Sequence, residues 1–159
     1  MMRLGILSDT HNQPIPSEVL EELRHVDLII HAGDICDEAT LSRLQSLAKV
    51  CAVCGNMDDG RLRQKLSETQ VIQVENMTVG VFHGVGPASR VVEFVREKFA
   101  GQKVDAVIFG HSHQPFQEKI DGILYFNPGS PNDHVCAPYC SYGIMEIHDG
   151  KIEARIVKC

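Results

Sequence analysis

The chain has 159 residues, with 15 Lys and Arg against 21 Asp and Glu for a formal net charge of −6 at pH 7; 43% of residues are hydrophobic and 23% charged. That is material for a core in a single domain spanning 1–159, and it excludes disordered and fibrous classes. An acidic balance without a Lys/Arg run argues against an extended nucleic-acid or anionic-membrane surface, both of which need clustered positive charge.

Arg3 to Ser8 reads as a first strand that stops at Asp9-Thr10-His11-Asn12, before Pro14 and Pro16. Ser17 is placed to cap a helix carrying Val19, Leu20 and Leu23, and Val26 to Ile30 forms a second strand ending at His31-Ala32-Gly33-Asp34. Leu41, Leu44 and Leu47 mark a second helix face; Val50 to Val53 is a third strand, followed by the loop Gly55 to Gly60. Alternating strands and helices predict βαβ units and a parallel sheet. After an arginine-containing connection, Val71 to Val74 and Val79 to Phe82 suggest a hairpin across Glu75 to Thr78, its second strand ending at His83-Gly84. Pro87 and Ser89 open a helix with Val91, Val92, Phe94, Val95 and Phe99 on its apolar side. Val104 to Phe109 is a buried strand ending at Gly110-His111-Ser112-His113, and the tail from Phe116 reads as short strands turning at Asp121-Gly122 and Asp149-Gly150.

No apolar run approaches the roughly 20 residues of a bilayer span, and the N-terminus enters a strand pattern without a signal-peptide layout, so a soluble cytoplasmic protein is expected. The six cysteines include Cys51-x-x-Cys54 and Cys136-x-x-x-Cys140, which raises a zinc knuckle or a disulfide framework. Strand alternation turns Cys51 and Cys54 to opposite faces, so free thiols acting as small hydrophobes are the simpler reading.

Five predicted strands end in residue types that bind metals: Asp9-x-His11, Gly33-Asp34, Gly55-Asn56, His83-Gly84 and His111-x-His113. Taken singly, each reads as a solvated or hydrogen-bonded loop. In α/β sheets ligands bind outside the carboxyl ends of strands, so such clusters can converge although they are distant in sequence. If the backbone stays extended, each Asp-x-His or His-x-His pair points both side chains one way. Gly33, Gly55, Gly84 and Gly110 make tight turns or let backbone approach a shared centre closely. Two carboxylates, one amide oxygen and four imidazoles suit Mn²⁺, Fe²⁺, Zn²⁺ or Ni²⁺ better than Ca²⁺. Seven ligands exceed the needs of one ion; two ions about 3.5–4 Å apart would clamp phosphoryl oxygens and generate a hydroxide nucleophile.

In order and spacing, Asp9-Thr10-His11, Gly33-Asp34-Ile35-Cys36-Asp37, Gly55-Asn56-Met57-Asp58, His83-Gly84, Gly110-His111-Ser112-His113 and Asn127-Pro128-Gly129-Ser130 resemble the calcineurin-like metallophosphoesterases, specifically their small single-domain, YfcE-type phosphodiesterase branch. The resemblance implies a four-layer α/β/β/α sandwich with mixed sheets around a binuclear site, Mn²⁺ leading the candidate ions. It gives Asp9, His11, Asp34 and His113 to one ion and Asp34, Asn56, His83 and His111 to the other, with Asp34 bridging. Catalytic work falls to Asp34, Asn56 and His83 around a hydroxide that bridges the ions and attacks a small phosphodiester. Asn56 also meets substrate.

Three positions depart from the family pattern. Met57 stands where many members have a His that protonates the leaving group, Val85 where His-Gly-His is common, and Pro131 to Cys136 where the branch often carries an Arg. His134 is the candidate substitute acid and substrate contact; His25, His31 and His148 read as structural or exposed, with His31 also placed to support Asp34. The alternatives are a phosphomonoesterase, a protein-binding scaffold like the retromer-type subunit of the same fold, and a metal-buffering protein. The expected partner is a small phosphate ester, and a homo-oligomer is compatible with the sequence.

Overall fold

The computed structural model describes residues 1–159. In chain order the elements are β1 Met2–Leu7, α1 Ser17–Leu23, β2 Leu28–His31, α2 Glu38–Gln45, β3 Lys49–Ala52, α3 Gly60–Lys65, β4 Thr69–Val74, β5 Met77–Phe82, α4 Val91–Lys98, β6 Ala106–Ile108, β7 Phe116–Ile120, β8 Ile123–Asn127, β9 Ser141–His148 and β10 Lys151–Lys158.

Two five-stranded mixed sheets form, in the orders β10-β9-β1-β2-β3 and β4-β5-β6-β8-β7. Each contains a parallel trio, β1-β2-β3 in one and β5-β6-β8 in the other, extended by antiparallel strands. Period-2 alternation decides the packing: Leu4 and Ile6 of β1 face the other sheet and join Leu28, Ile30, Val79, Val81, Ile108 and Phe126 in one buried cluster. The opposite face of the first sheet takes Val19, Leu20 and Leu23 of α1 against Ile29 and Ile144. On the second sheet's outer face, Val91, Val95 and Phe99 cover Val107, Phe109 and Tyr125. Helix, sheet, sheet and helix stack in that order, the expected four layers.

Local chemistry corrects several expected boundaries. Ser17 is the first helical residue rather than the cap, and its hydroxyl bonds Glu18 at 3.4 Å. The second helix is capped by Asp37, whose carboxylate accepts the Thr40 N–H at 2.7 Å, and Leu47 lies just past the helix end. Chain after Gly60 is helical: Asp59 accepts the N–H groups of Arg61 and Leu62, and Leu62 is fully buried. The β4–β5 hairpin turns through Glu75-Asn76 alone, with Met77 and Thr78 already paired. Pro87 and Ser89 lie at a short 3₁₀ turn, Ala88–Arg90, ahead of α4; Phe94 is only half-buried, with the Arg90 guanidinium 5.1 Å from its ring centre. The last hairpin is long, eight residues a side. Both Asp-Gly turns have positive φ at each position, 50° and 86° at Asp121-Gly122 and 49° and 72° at Asp149-Gly150, as two-residue hairpins require. No helix is long and apolar enough to cross a membrane.

Ile108 is fully buried at the centre of the intersheet core. Ile108→Ala should lower the unfolding free energy by about 2–5 kcal/mol, read from urea titration, without changing the secondary structure seen by circular dichroism.

Candidate metal centre

The carboxyl ends of β1, β2, β3, β5 and β6 meet at one rim of the sandwich. Backbone bonds stitch the loops there: Asp9 N–H to Gly33 O at 3.1 Å, His11 N–H to Asp34 O at 2.8 Å and Gly110 N–H to His83 O at 2.9 Å. The Ser130 hydroxyl, after β8, donates to Asp9 O at 2.8 Å.

The loops are not extended. Asp9, His11, Asp34, His111 and His113 all have positive φ, at 54°, 47°, 57°, 71° and 56°. Left-handed kinks, not strand alternation, turn both members of Asp9-x-His11 and His111-x-His113 inward, a sparsely populated conformation that surrounding bonds must hold. Gly55 and Gly110 let the loops close: a Cβ on Gly55 would sit 2.2 Å from Asp34 Oδ1, and one on Gly110 would sit 1.7 Å from Ser8 Oγ.

All seven candidate ligands form one unbroken chain of contacts. His11 Nε2 lies 3.2 Å from His113 Nε2, which lies 3.4 Å from Asp9 Oδ1. Asp9 Oδ1 is 3.9 Å from His83 Nε2, which is 3.2 Å from Asp34 Oδ2 and 3.0 Å from Asn56 Oδ1. Asn56 Oδ1 is also 3.0 Å from His111 Nδ1. Two tight groups stand out, Asp9 with His11 and His113, and Asp9 with Asp34 and His83.

Asp9 and Asp34 each have one carboxylate oxygen occupied and one turned inward. Asp9 Oδ2 accepts from the Ser8 hydroxyl at 2.7 Å and the His111 N–H at 2.9 Å, while Asp9 Oδ1 is buried with no hydrogen-bond partner. Asp34 Oδ1 accepts the Met57 N–H at 2.7 Å, leaving Oδ2 to His83. Burial works against the Asp34 charge, yet the His83 hydrogen bond and charge and the Met57 amide hold its pKa below the ordinary carboxylate value.

Every imidazole is held from behind by its other nitrogen. His83 Nδ1 bonds Ala32 O at 2.7 Å, His111 Nε2 bonds Gly86 O at 2.8 Å, His113 Nδ1 meets Asp133 Oδ2 at 2.5 Å and His11 Nδ1 lies 3.4 Å from Cys36 Sγ. Against a carbonyl or carboxylate the tethered nitrogen is the donor, so in the neutral ring the inward nitrogen of His83, His111 and His113 carries the lone pair that a metal ligand needs. The Asp9 carboxylate on one side, opposed by burial and reinforced by Asp133 on the other, pushes the His113 pKa up to about 9; Asp133, despite burial, is drawn down to about 2 by the Cys136 amide and His113.

The neighbouring residues sort clearly. His31 is fully buried, bonded through Nε2 to Thr10 Oγ1 at 3.0 Å, and burial drives its pKa down to about 3, so it is a neutral packing residue. His25 is exposed beside Glu21, and His148 sits beside Asp149 and Glu153. All six cysteines are free. Met57 is 60% exposed and contributes its backbone amide. His134 is exposed and shares a cavity of about 440 Å³ with His11, His113 and Asp133. A second cavity, about 220 Å³, opens on the other flank beside Asn56 and His83, with Val85 in its wall.

Two residues that sequence reading missed complete the site. Asp58 is 4% exposed and accepts three amides, from Asp34 at 3.1 Å, Cys36 at 2.7 Å and Gly55 at 2.7 Å, binding the Asp34 loop to the Asn56 loop. It closes the motif Gly55-Asn56-Met57-Asp58, so its position is visible in the sequence and its role is not. Asp133 lies in an irregular loop with no local signal; Asn132 anchors that loop by donating to Thr10 O and Gln13 O at 2.9 and 3.1 Å.

The chain is similar to known proteins in sequence and in fold. The calcineurin-like phosphoesterase superfamily domain matches residues 2–150. A probable metallophosphoesterase of Methanocaldococcus jannaschii is 37% identical over 98% of this chain and 81% of its own length. A phosphodiesterase of the same organism is 28% identical over 80% of this chain and 83% of its own. Among solved structures, a Vps29 single mutant from Entamoeba histolytica superposes with a TM-score of 0.78 over 99% of both chains, at 26% identity.

Asp58→Ala would strand three amides at once. It should lower stability by at least about 2 kcal/mol in denaturant titration and raise hydrogen exchange at Asp34, Cys36 and Gly55 specifically.

Proposed function

The chain belongs to the calcineurin-like phosphoesterase superfamily, and we propose that within it this protein is a binuclear, metal-dependent phosphodiesterase acting on a small phosphodiester. One observation carries the reading. Asp9 Oδ1, a buried carboxylate oxygen with no hydrogen-bond partner, faces His83 and His113 within a site that already buries Asp34. A buried anion without a donor is costly, and a divalent cation relieves that cost.

The donors fit such ions, being carboxylates, an amide oxygen and back-tethered imidazoles with no inward thiolate, a set that suits Mn²⁺ first and Ni²⁺, Fe²⁺ or Zn²⁺ as alternatives. Asp9, His11, Asp34 and His113 would hold one ion and Asp34, Asn56, His83 and His111 the other. When bound, such ions supply positive charge for the phosphoryl oxygens and lower the pKa of water. Around them the chain orients its ligands. Ala32 O fixes the His83 ring, Gly86 O fixes His111, and the Met57 amide fixes Asp34. Asn56 Oδ1 lies between His83 and His111, and the Asn56 amide nitrogen is the group that would donate to a substrate oxygen. The Met57 side chain supplies no proton, and His134, across the larger cavity from His113, is our candidate donor to the leaving group.

The likeness to Vps29 favours one second reading, a protein-binding shell that does not turn over substrate. The deciding experiment takes chelator-treated protein, restores Mn²⁺, Ni²⁺, Zn²⁺ or Mg²⁺ in parallel, and measures bound metal with hydrolysis of an aryl phosphodiester and its monoester. Near two ions per chain with faster diester cleavage is the expected result. Faster monoester cleavage would make it a monoesterase, and no cleavage of either would leave the shell.

Substitutions test the assignments. Asp34→Asn should weaken both ions, and Asn56→Ala mainly one, in calorimetric titrations; because Asp9 is common to both tight groups, two-ion loss in Asp9→Asn with only one lost in Asp34→Asn would move the bridge to Asp9. His134→Ala should slow esters with poor leaving groups by about tenfold or more while sparing activated aryl esters, and equal slowing of both would remove it as the acid.

A further inference from the structure

The smaller cavity beside Asn56 and His83 contains one permanently charged cation, Arg63, which projects from α3. Its guanidinium is fixed in plane by two neutral acceptors, Nε donating to Asp58 O at 2.8 Å and Nη2 to Asn56 O at 2.6 Å. No carboxylate lies within ion-pair distance of it. The one acidic side chain in the cavity wall, Glu68, is engaged by Lys98 Nζ at 3.0 Å. Arg63 is therefore held rigidly with its charge uncompensated and donors to spare.

The support beneath it is equally built. Asp59 caps α3, and Leu62, one residue away, is fully buried with Ile35, Leu41 and Ala52. Fixing a guanidinium with carbonyls rather than carboxylates keeps its charge available, and the planar fork matches an oxyanion with two parallel bonds. Its volume, about 220 Å³, is small beside the cavity on the opposite flank, about 440 Å³, which carries no Arg or Lys.

We propose that Arg63 and this cavity form a subsite for a second oxyanion, a carboxylate or phosphate on a short arm of the substrate, while the larger arm lies toward His134. The inference rests on the phosphoesterase reading and narrows it: the preferred ester carries an additional negative charge a few bonds from the scissile phosphorus. Arg63 binds substrate here and takes no part in bond breaking.

Phosphonates, which are not hydrolysed, test the subsite by binding alone. Mn²⁺-loaded protein is titrated calorimetrically with ω-carboxyalkylphosphonates of one to three methylenes, with methylenebisphosphonate, and with neutral alkylphosphonates of matching length. One acidic probe should bind about tenfold tighter than its neutral match, and whether a carboxylate or the second phosphonate wins identifies the oxyanion. Arg63→Gln, which removes the charge, should abolish that preference, and Arg63→Lys should retain part of it; a residue that merely staples the Asn56 loop would weaken acidic and neutral probes equally. Neutral phosphonates that bind with no acidic preference in the wild type, or a preference that survives Arg63→Gln, overturn the subsite. Protein that binds none of the phosphonates and cleaves no ester overturns the phosphoesterase reading instead.

Discussion

Two buried carboxylates, Asp9 and Asp34, reach within 4.8 Å of each other and of His83 at one end of the sandwich. Like charges so close and so dry raise each other's energy unless donors or cations answer them. The surrounding structure supplies half of that answer. Ser8 and the His111 amide take one oxygen of Asp9, and the Met57 amide takes one of Asp34. What remains, one inward oxygen on each, is the feature around which the rest of the rim is organised.

That arrangement demands short, rigid loops. The parallel trios β1-β2-β3 and β5-β6-β8 lie in different sheets, yet their carboxyl ends share one rim because the two sheets pack face to face over Leu4, Ile6, Ile30, Val81 and Ile108. The intersheet core therefore sets the distance between candidate ligands that are up to 104 positions apart in the chain, from Asp9 to His113. Left-handed backbone at five candidate ligand positions is held by loop-to-loop bonds and by Asp58, whose three accepted amides come from both sides of the gap. Strain concentrated at these residues is what a site fixed in advance of its ligand looks like.

The imidazoles show how direction is enforced from behind. Backbone carbonyls behind His83 and His111, and a carboxylate behind His113, each choose the nitrogen that faces inward. The tethers come from loops after three different strands, so ring orientation is a property of the assembled rim. Asp133 adds negative charge on the His113 side, and Arg63 adds positive charge on the Asn56 side. The two cavities that flank the centre therefore differ in charge.

Amino-acid order alone determined much of this protein. Hydrophobic runs ending in Asp, His and Asn marked the strands and their reactive ends, and the spacing of those clusters resembled one family strongly enough to give the layers and the seven candidate ligands. Asp-Gly pairs fixed two hairpins because their φ preferences are local. Tertiary structure decided the rest, for a physical reason: a side chain's role depends on what lies across space. Asp58 and Asp133 are ordinary acids in the sequence and acquire their work only from amides and an imidazole brought to them by folding. The expected extended Asp-x-His geometry failed because the loops bend to satisfy each other's backbone groups, an interaction that no single segment contains. Which oxygen of Asp9 is left without a donor, and that Arg63 is fixed by carbonyls rather than by an acid, is settled by packing alone.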